Sequence, residues 1–314
     1  MKQSVFAALV AAAVALPAAA ENYTIIAPAG PGGGWDQTAR TMQEVLQATK
    51  ISNRVQVQNV PGAGGTVGLA QFVAGNSGKA DQLIVGGYVM VGAILTNGSP
   101  VGLDDVTPIA RLTGEYEAIV VPTASDVADI NALVEKLKAD PGSVSWAGGS
   151  AGGTDHIAVG LLAKAAGVDP TKINYIAYSG GGEALAAILG NQVTAGVSSL
   201  GEFLPQVEAG ALRILAVSSD ERIEGVDAPT LKEAGLDVVL QNWRMVAAAP
   251  GLSDEQVATI SADIEKMVQS TEWQTALSTK GWADTYLAGD AFKAQLADDI
   301  AATETVLKDI GLVK

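Results

Sequence analysis

Glycine-rich loops are the feature of this sequence best suited to binding chemistry. There are four of them, each after an apolar, β-branched run and before a helical stretch, at residues 31–36, 61–66, 148–154 and 179–183. The first turn of a helix has unpaired N–H groups and about half a positive charge, so it holds an anion without a cationic side chain. Hydroxyl groups on these loops add hydrogen-bond donors, at Thr66, Ser150, Thr154 and Ser179. One such loop is equally consistent with a tight turn, but four together favour an anion site.

Nucleotide phosphates fit these loops less well than small anions do. A dinucleotide fingerprint that begins at Gly62 and Gly64 requires glycine at position 67, where Val67 stands. Neither glycine triplet supplies the third glycine, and the sequence has no P-loop motif. The loops therefore favour a small anion over a nucleotide.

Ser150 supports an alternative, catalytic interpretation. Residues 148–152 match the G-x-S-x-G pattern of a hydrolase nucleophile elbow, in the strand-to-helix context that this pattern requires. The single histidine, His156, lies six residues further on, in the helix that the loop begins. The rise and turn of that helix point His156 away from Ser150. An exported serine esterase using Ser150 is therefore the alternative, and binding without chemistry is favoured.

Charged and aromatic side chains near the loops are further candidates. Asp36 ends the first loop and is spaced to pair with Arg40 along a helix. Arg111 and Arg244 are candidate carboxylate clamps because a guanidinium binds carboxylates bidentately. Three aromatic residues either wall a cleft or fill the core: Trp35, Tyr88 and Trp243. A single histidine without cysteine disfavours a transition-metal site, and no cofactor is predicted.

The elements that must position these residues alternate between strand and helix. Short apolar runs predict strands at residues 55–57, 83–85, 118–121, 144–146, 173–177, 193–197 and 212–217. Helices are predicted at residues 38–49, 130–139, 157–166, 184–189 and 255–270. A capping box of Ser253 and Gln256 precedes the last of these. The alternation is typical of an α/β fold with mainly parallel sheets flanked by helices, whose ligands bind beyond the carboxyl ends of the strands.

Length and internal similarity predict two lobes with a cleft between them. The tetrapeptide Ala-Gly-Gly-Thr and a glycine triplet each occur twice, at residues 63–66 and 151–154 and at residues 32–34 and 180–182. The chain is also longer than a single core usually is. Crossings between lobes are expected near residues 122 and 246. We therefore predict lobe 1 at residues 21–121 plus 247–314 and lobe 2 at residues 122–246.

Composition and charge narrow the functional class. The first 20 residues have the basic start, apolar run and small-residue end of an export signal, with cleavage expected after about Ala20. No later apolar stretch is long enough to span a membrane. The chain has no cysteine, which excludes thiol chemistry, and its net charge of −15 disfavours nucleic acid as a partner. An acidic protein that binds an anion has to do so with local dipoles.

The motifs together resemble the substrate-binding proteins of tripartite tricarboxylate transporters, also called TctC-like or Bug receptors. The matching stretches cover nearly the whole chain after the export signal, at residues 27–36, 39–40, 59–68, 150–156, 178–184 and 229–233. The resemblance implies a periplasmic, two-lobed Venus flytrap fold of the type II class. It also implies that a carboxylate is captured between the lobes and delivered to a two-subunit membrane permease, by a receptor expected to be a monomer.

The same resemblance implies which residues contact the ligand. Many relatives carry an aspartate, used with amine-bearing ligands, near the position of Ser198 and Ser199. Serines there suit a fully anionic ligand, and Trp35 together with residues 88–90 looks like the tricarboxylate branch, so citrate is favoured. The predicted ligand-binding residues are Gly30, Gly34, Trp35, Asp36, Gly62, Ala63, Gly64, Gly65, Thr66, Tyr88, Ser150, Thr154, Tyr178, Ser179, Ser198, Ser199 and Arg244. A sensory receptor with the same fold and ligand is a further alternative that the sequence does not separate from a transport receptor.

Overall fold

A computed structural model describes residues 22–178 and 181–314. These residues form ten strands: β1 (Asn22–Ala27), β2 (Arg54–Asn59), β3 (Gln82–Gly87), β4 (Thr107–Pro122), β5 (Ser145–Gly148), β6 (Asn174–Ala177), β7 (Ala195–Ser199), β8 (Leu212–Val217), β9 (Gln241–Ala248) and β10 (Ala283–Ala288). The first six helices are α1 (Gly34–Ala48), α2 (Thr66–Asn76), α3 (Tyr88–Asn97), α4 (Ile130–Ala139), α5 (Thr154–Ala165) and α6 (Gly181–Leu189). Four more follow: α7 (Leu200–Glu208), α8 (Asp254–Val268), α9 (Thr271–Lys280) and α10 (Gly289–Asp309). No helix in the described ranges is long and apolar enough to cross a membrane.

The first sheet combines a parallel and an antiparallel part. Strands β2, β1 and β3 are parallel neighbours. β9 then pairs antiparallel with both β3 and β4, and β10 pairs antiparallel with β4. The inner strands are nearly continuous buried runs, such as Leu83–Gly87 in β3, because helices cover both faces of the sheet.

The second sheet repeats the same plan. β6, β5 and β7 are parallel neighbours, and β4 and β8 close the sheet in antiparallel directions. The expectation of mainly parallel sheets therefore holds for three strands of each sheet and fails for the rest. The fold class is confirmed as two-lobed α/β with flanking helices. The antiparallel pairing was missed, although strands were predicted within β4 and at β8, because pairing between distant segments leaves no local pattern in one sequence.

β4 is the strand that joins the two sheets. Its residues 107–116 pair with β9, whereas Glu117 is the first to pair with β7 in the second sheet. All of β9 pairs in the first sheet, and Leu240 just before it still donates a backbone hydrogen bond to Ser218 of the second. The change of sheet thus occurs at about residues 117 and 240, earlier than the expected crossings at 122 and 246.

Most predicted elements coincide with observed ones. Helix α4 has the predicted bounds, and α8 begins with the predicted capping box, in which Ser253 and Gln256 hydrogen-bond reciprocally. Helix α3, an apolar helix of Tyr88–Asn97 that directly follows β3, was not predicted. Because the loops after β1, β2 and β5 leave the carboxyl ends of parallel strands, they converge at one edge of each sheet, as the α/β rule requires.

Candidate functional site

A cavity of about 900 Å³ lies between the loops of the two lobes. The first-lobe wall, as we call it, consists of residues 28–31, 33–35 and 61–65 with Val89, Ala93 and Asn97 of α3. The second-lobe wall consists of residues 149–151 and 153–155 with Ser198, Ser199 and Glu202. Asn242 and Arg244 of β9 lie at the floor between the walls. The cavity has the size of a small-molecule site and is formed by loops from both lobes.

Three helices begin at this cavity with a glycine as N-cap. These N-caps are Gly33 of α1, Gly65 of α2 and Gly153 of α5, and none is accompanied by a side-chain cap. The Thr66 N–H of α2 donates to the Ala63 carbonyl of the preceding turn. No side chain caps the remaining N–H groups at the three helix starts, which are therefore available to a ligand or to water. Partial positive charge from three helix dipoles consequently converges on one cavity, which suits an anion.

Asp36 holds the first glycine loop in place and does not line the cavity. Its carboxylate accepts hydrogen bonds from the Gly32 N–H at 2.8 Å, from Arg40 Nε at 2.9 Å and from Asn59 Nδ2 at 2.8 Å. Burial alone would raise the pKa of Asp36, but these hydrogen bonds outweigh it and lower the pKa of the carboxyl. The charge of Asp36 is thus paired with Arg40 away from the ligand space.

Two glycines of the first-lobe wall allow close packing that any side chain would prevent. A Cβ on Gly34 would lie 2.2 Å from Arg244 Nη2, so glycine lets the guanidinium pack against the start of α1. Gly65 has a φ of +92°, and a Cβ there would lie 2.7 Å from the Trp35 ring. These positions explain why glycine is required in two of the loops that the sequence singled out.

The glycine loop of residues 148–154, in lobe 2, is held by three side chains of its own lobe. Asp155 Oδ2 accepts from the Gly149 N–H at 2.6 Å, and His156 Nδ1 accepts from the Gly152 N–H at 3.3 Å. The Tyr175 hydroxyl donates to the Gly149 carbonyl at 2.8 Å, and its ring stacks on His156 with centroids 4.1 Å apart. Burial lowers the pKa of His156 to about 4, so the imidazole is neutral at pH 7. His156 is therefore a positioning residue of the loop.

The carboxyl groups around the floor outnumber the cations. Arg244, which is buried, forms an ion pair with Glu115 at 2.5 Å between Nη1 and Oε2. Glu202 faces the cavity and accepts a hydrogen bond from Ser198 Oγ at 2.8 Å. Burial raises the pKa of Asp155 to about 6, and burial followed by repulsion from Asp155, Glu115 and Glu202 raises the pKa of Glu117 well above its usual value. Burial and mutual repulsion thus destabilise negative charge on these carboxyl groups.

The structure brings most of the predicted site residues together. Twelve of them line the cavity: Gly30, Gly34, Trp35, Gly62, Ala63, Gly64, Gly65, Ser150, Thr154, Ser198, Ser199 and Arg244. Asp36 is turned to Arg40, and the Thr66 hydroxyl donates to the Ala63 carbonyl. Tyr88 packs edge-on against Trp243, and Tyr178 packs on the smaller core cluster of lobe 2. Ser179 lies outside the described residues, so its place in the site stays a prediction.

Several residues at the site were not predicted. Asp155 and Glu202 each lie within three residues of a predicted position, and the first turn of a helix is where a carboxylate is usually assigned to capping. Glu115, Glu117 and Asn242 come from strands β4 and β9, whose pairing was not predicted. Arg111, the second candidate clamp, instead donates to the Thr285 carbonyl of β10 at 2.9 Å.

The arrangement of the cavity agrees with the family to which the sequence is related. The family described as the tripartite tricarboxylate transporter family receptor, TctC, matches residues 38–312. The chain belongs to the TctC receptor family. As a TctC receptor, it is a solute-binding protein, which is the class that the resemblance implied.

Individual relatives of this TctC receptor are distant. Protein BugT of Bordetella pertussis is 28% identical over 312 residues, which cover 96% of this chain and 94% of that protein. A TctC solute-binding protein from Polaromonas is 27% identical, with a TM-score of 0.71 over 92% of this chain and 98% of that one. MatC of Rhodopseudomonas palustris with bound malate is 24% identical, with a TM-score of 0.78 over 91% and 99%. This last likeness supports the fold.

The described residues do not form a catalytic or metal-binding constellation around Ser150. Within the described ranges, no group of three or more histidine, aspartate or glutamate residues is arranged to hold a metal ion. His156 Nδ1 is engaged by the Gly152 N–H, and the ring stacks on Tyr175. The esterase alternative therefore gains no support from the geometry, and the solute-binding family favours binding without chemistry.

Proposed function

We propose that this protein is a periplasmic receptor that captures a small carboxylate between its two lobes and delivers it to a two-subunit membrane permease. In this proposal residues 1–20 direct export and are removed after about Ala20, and the receptor acts as a monomer without catalysing a reaction. We take residues 22–116 and 241–314 as lobe 1 and residues 117–240 as lobe 2, following the strand pairing.

The observation that carries the proposal is the convergence of three uncapped helix N-termini on one cavity between the lobes. Each contributes backbone N–H donors and a positive dipole end, and together they suit a ligand with carboxylate oxygens. Two structural neighbours, MatC with malate and Rpa4515 of Rhodopseudomonas palustris with adipate, carry dicarboxylates. Lobe closure on such a ligand would shift the receptor from an open to a closed population that the permease recognises.

Di- and tricarboxylates are the class that we propose, and citrate is the tricarboxylate that the sequence favours. Ser198 was the reason to favour a fully anionic ligand, but its hydroxyl donates to Glu202, which places a carboxylate on the same wall. This neighbour makes the charge of the ligand the first property to measure.

The test is a thermal-shift screen of the exported protein against citrate, tricarballylate, malate, succinate, adipate, aspartate and glutamate. A ligand at about a hundred times its Kd stabilises the folded state by about 2.7 kcal/mol, so a rise in Tm of several degrees is expected for at least one carboxylate. No rise with any carboxylate would remove the proposal.

A pair of N-cap variants tests the role of the helix N-termini. Gly153→Asp puts a carboxylate on the N-cap of α5, where it occupies the free N–H groups and repels an anion, so the ligand-induced rise in Tm should fall by at least half. Ala288→Asp makes the same change at the uncapped N-terminus of α10, outside the cavity, and should leave the rise unchanged. Equal responses of the two variants would contradict the proposed anion site.

A further inference from the structure

The charge of the second-lobe wall differs from what a purely anionic ligand requires. Two carboxylates, Asp155 and Glu202, line the cavity, and the one cation among the described lining residues is Arg244. Arg244 is already paired with the buried Glu115. Asp155 and Glu202 are close enough to repel each other, and Asp155 is 8% exposed. Neither carboxylate forms an ion pair with a cation of the described chain, although the charge of Arg244 partly offsets the rise that burial causes in the pKa of Glu202.

An unpartnered hydroxyl group shows that this wall is incomplete without a ligand. Thr154 lines the cavity and is fully buried, yet its Oγ1 has no hydrogen-bond partner among the described residues. Glu117 is 1% exposed, and its carboxyl group interacts with that of Asp155. Buried polar groups are nearly always hydrogen-bonded in native proteins. A donor supplied by the ligand would satisfy this part of the site.

We propose that the ligand is an amino-substituted carboxylate whose ammonium group binds between Asp155 and Glu202, with the Thr154 hydroxyl as a further acceptor. Its carboxylate groups bind the N–H groups at the helix starts, those of α1 and α2 on the opposite wall and that of α5 beside Thr154. This inference rests on the proposed function and names the chemical class of its substrate. The two charges of a zwitterion thereby meet the positive ends of the helix dipoles and the carboxylates of Asp155 and Glu202.

Other ways to neutralise Asp155 and Glu202 fit the structure less well. The described residues do not form a group suited to a metal ion. Arg244 remains engaged by Glu115, and the floor lies against Gly34, which leaves the guanidinium little room to turn. A trianion such as citrate would bind only if Asp155 and Glu202 took up protons. An ammonium group instead supplies both hydrogen-bond donors and positive charge.

The experiment compares ligands that differ in one group at the same carbon. Binding of succinate, malate and aspartate, and of glutarate, 2-hydroxyglutarate and glutamate, is measured by calorimetry at pH 7. The amino member of a series should bind at least tenfold more tightly than its hydrogen and hydroxyl counterparts. In the Glu202→Gln variant this preference should fall to about threefold or less. Glu208→Gln removes the same charge from the exposed end of helix α7 and should keep the full preference.

The sign of the proton exchange on binding provides a second readout. Burial raises the pKa of Asp155 to about 6 in the ligand-free protein, so a fraction of this carboxyl group is protonated at pH 7, and burial also raises the pKa of Glu202. An ammonium group expels those protons, whereas a purely anionic ligand requires more of them. Calorimetry in buffers of different ionisation enthalpy should therefore detect net proton release with the amino ligands.

Three results decide between the possibilities. Tenfold preference with proton release supports the ammonium site. Equal or weaker binding of the amino ligands, together with proton uptake on binding of the plain carboxylates, overturns it and leaves the receptor function intact. If no carboxylate binds, with or without an amino group, the proposed function fails and the ammonium site fails with it. The Asp155→Asn variant should lose the preference as well, and it provides an independent test if Glu202→Gln misfolds.

Discussion

The two walls of the cavity have the same construction but opposite treatment of charge. In each, a carboxylate in the first turn of a helix accepts from an N–H of the preceding glycine loop: Asp36 from Gly32 and Asp155 from Gly149. Asp36 is paired with Arg40 and Asn59 and is turned away from the ligand space. Asp155 lines the cavity, and its neighbours are further carboxyl groups. Both carboxylates thus hold their loops, but only Asp155 also lines the ligand space, where no ion pair with a described residue neutralises it.

The comparison teaches that a loop motif alone does not determine the ligand. Both loops have a glycine N-cap and unpaired helix N–H groups, which suit a carboxylate. The local cation, Arg40, is what makes the first wall electrostatically neutral, and no described residue does the same for Asp155. Stability and pH experiments should therefore separate the two walls even before the ligand is known.

The largest effect on the free energy of unfolding is expected at the floor of the cavity, where the buried Arg244 is paired with Glu115. Arg244→Met should lower the free energy of unfolding by about 3–5 kcal/mol, because Glu115 is left as an uncompensated buried carboxylate. The double variant Arg244→Met, Glu115→Gln should recover most of that loss. Urea unfolding at pH 7 measures both. A double variant no more stable than the single one would show that the ion pair contributes little.

The next largest effect on stability distinguishes Asp36 from Asp155, the two carboxylates in the first turns of α1 and α5. Asp36→Asn should cost about 2 kcal/mol, because it weakens hydrogen bonds to Arg40 and to the Gly32 N–H. Asp155→Asn keeps an acceptor for the Gly149 N–H and removes repulsion from Glu117 and Glu202. It should therefore leave stability within about 1 kcal/mol of the wild type or increase it. Equal losses in the two variants, measured in the same urea experiment, would abolish the distinction between the walls.

The sequence allowed the shared construction of the walls to be predicted, since glycine loops after apolar runs are a local signal. Ser150 and Thr154, which the sequence offered as ligand-binding residues, line the second-lobe wall, and their contact with a ligand stays a prediction. The charge difference was missed. Asp155 and Glu202 follow predicted positions within one helical turn, where a carboxylate is ordinarily explained by the helix dipole.

The floor of the cavity was beyond prediction because it depends on pairing between distant strands. Arg244 was recognised as a clamp candidate, but its partner Glu115 is 129 residues away in sequence. The register that brings them together pairs Thr113 with Arg244 across β4 and β9, and neither strand alternates in a way that reveals it. The same long-range pairing determines that Ser198 lies beside β4 and close to Glu117.

The stability of the second wall should depend on pH in a definite direction. Burial raises the pKa of Asp155 to about 6 in the folded protein, so between about pH 4 and pH 6 the folded state binds more protons than the unfolded state. The contribution of Asp155 to the free energy of unfolding is therefore favourable below about pH 4 and is lost as the pH rises towards 6. Relative to the wild type, Asp155→Asn should gain stability from pH 4.5 to pH 7, by on the order of 1 kcal/mol. A flat difference would contradict the raised pKa. Glu117 and Glu202 act on this carboxyl, Glu115 and Arg244 act in turn on Glu117, and all four are left unchanged.

The smallest effect on stability at neutral pH is expected for His156, which follows Asp155 in the chain. Replacing His156 should have the opposite dependence on pH. His156→Phe keeps a ring to stack on Tyr175 but removes the acceptor for the Gly152 N–H, so it should cost about 1 kcal/mol at pH 7.5. Burial lowers the pKa of His156 to about 4, so as the pH falls below about 6.5 the unfolded wild type gains a proton that the folded state does not. The wild type loses stability on acidification and the variant does not, so the cost should vanish or reverse near pH 5. A cost that grows on acidification would instead mean that the folded protein holds His156 as an imidazolium beside Asp155, which would supply the cation that the second wall otherwise takes from its ligand.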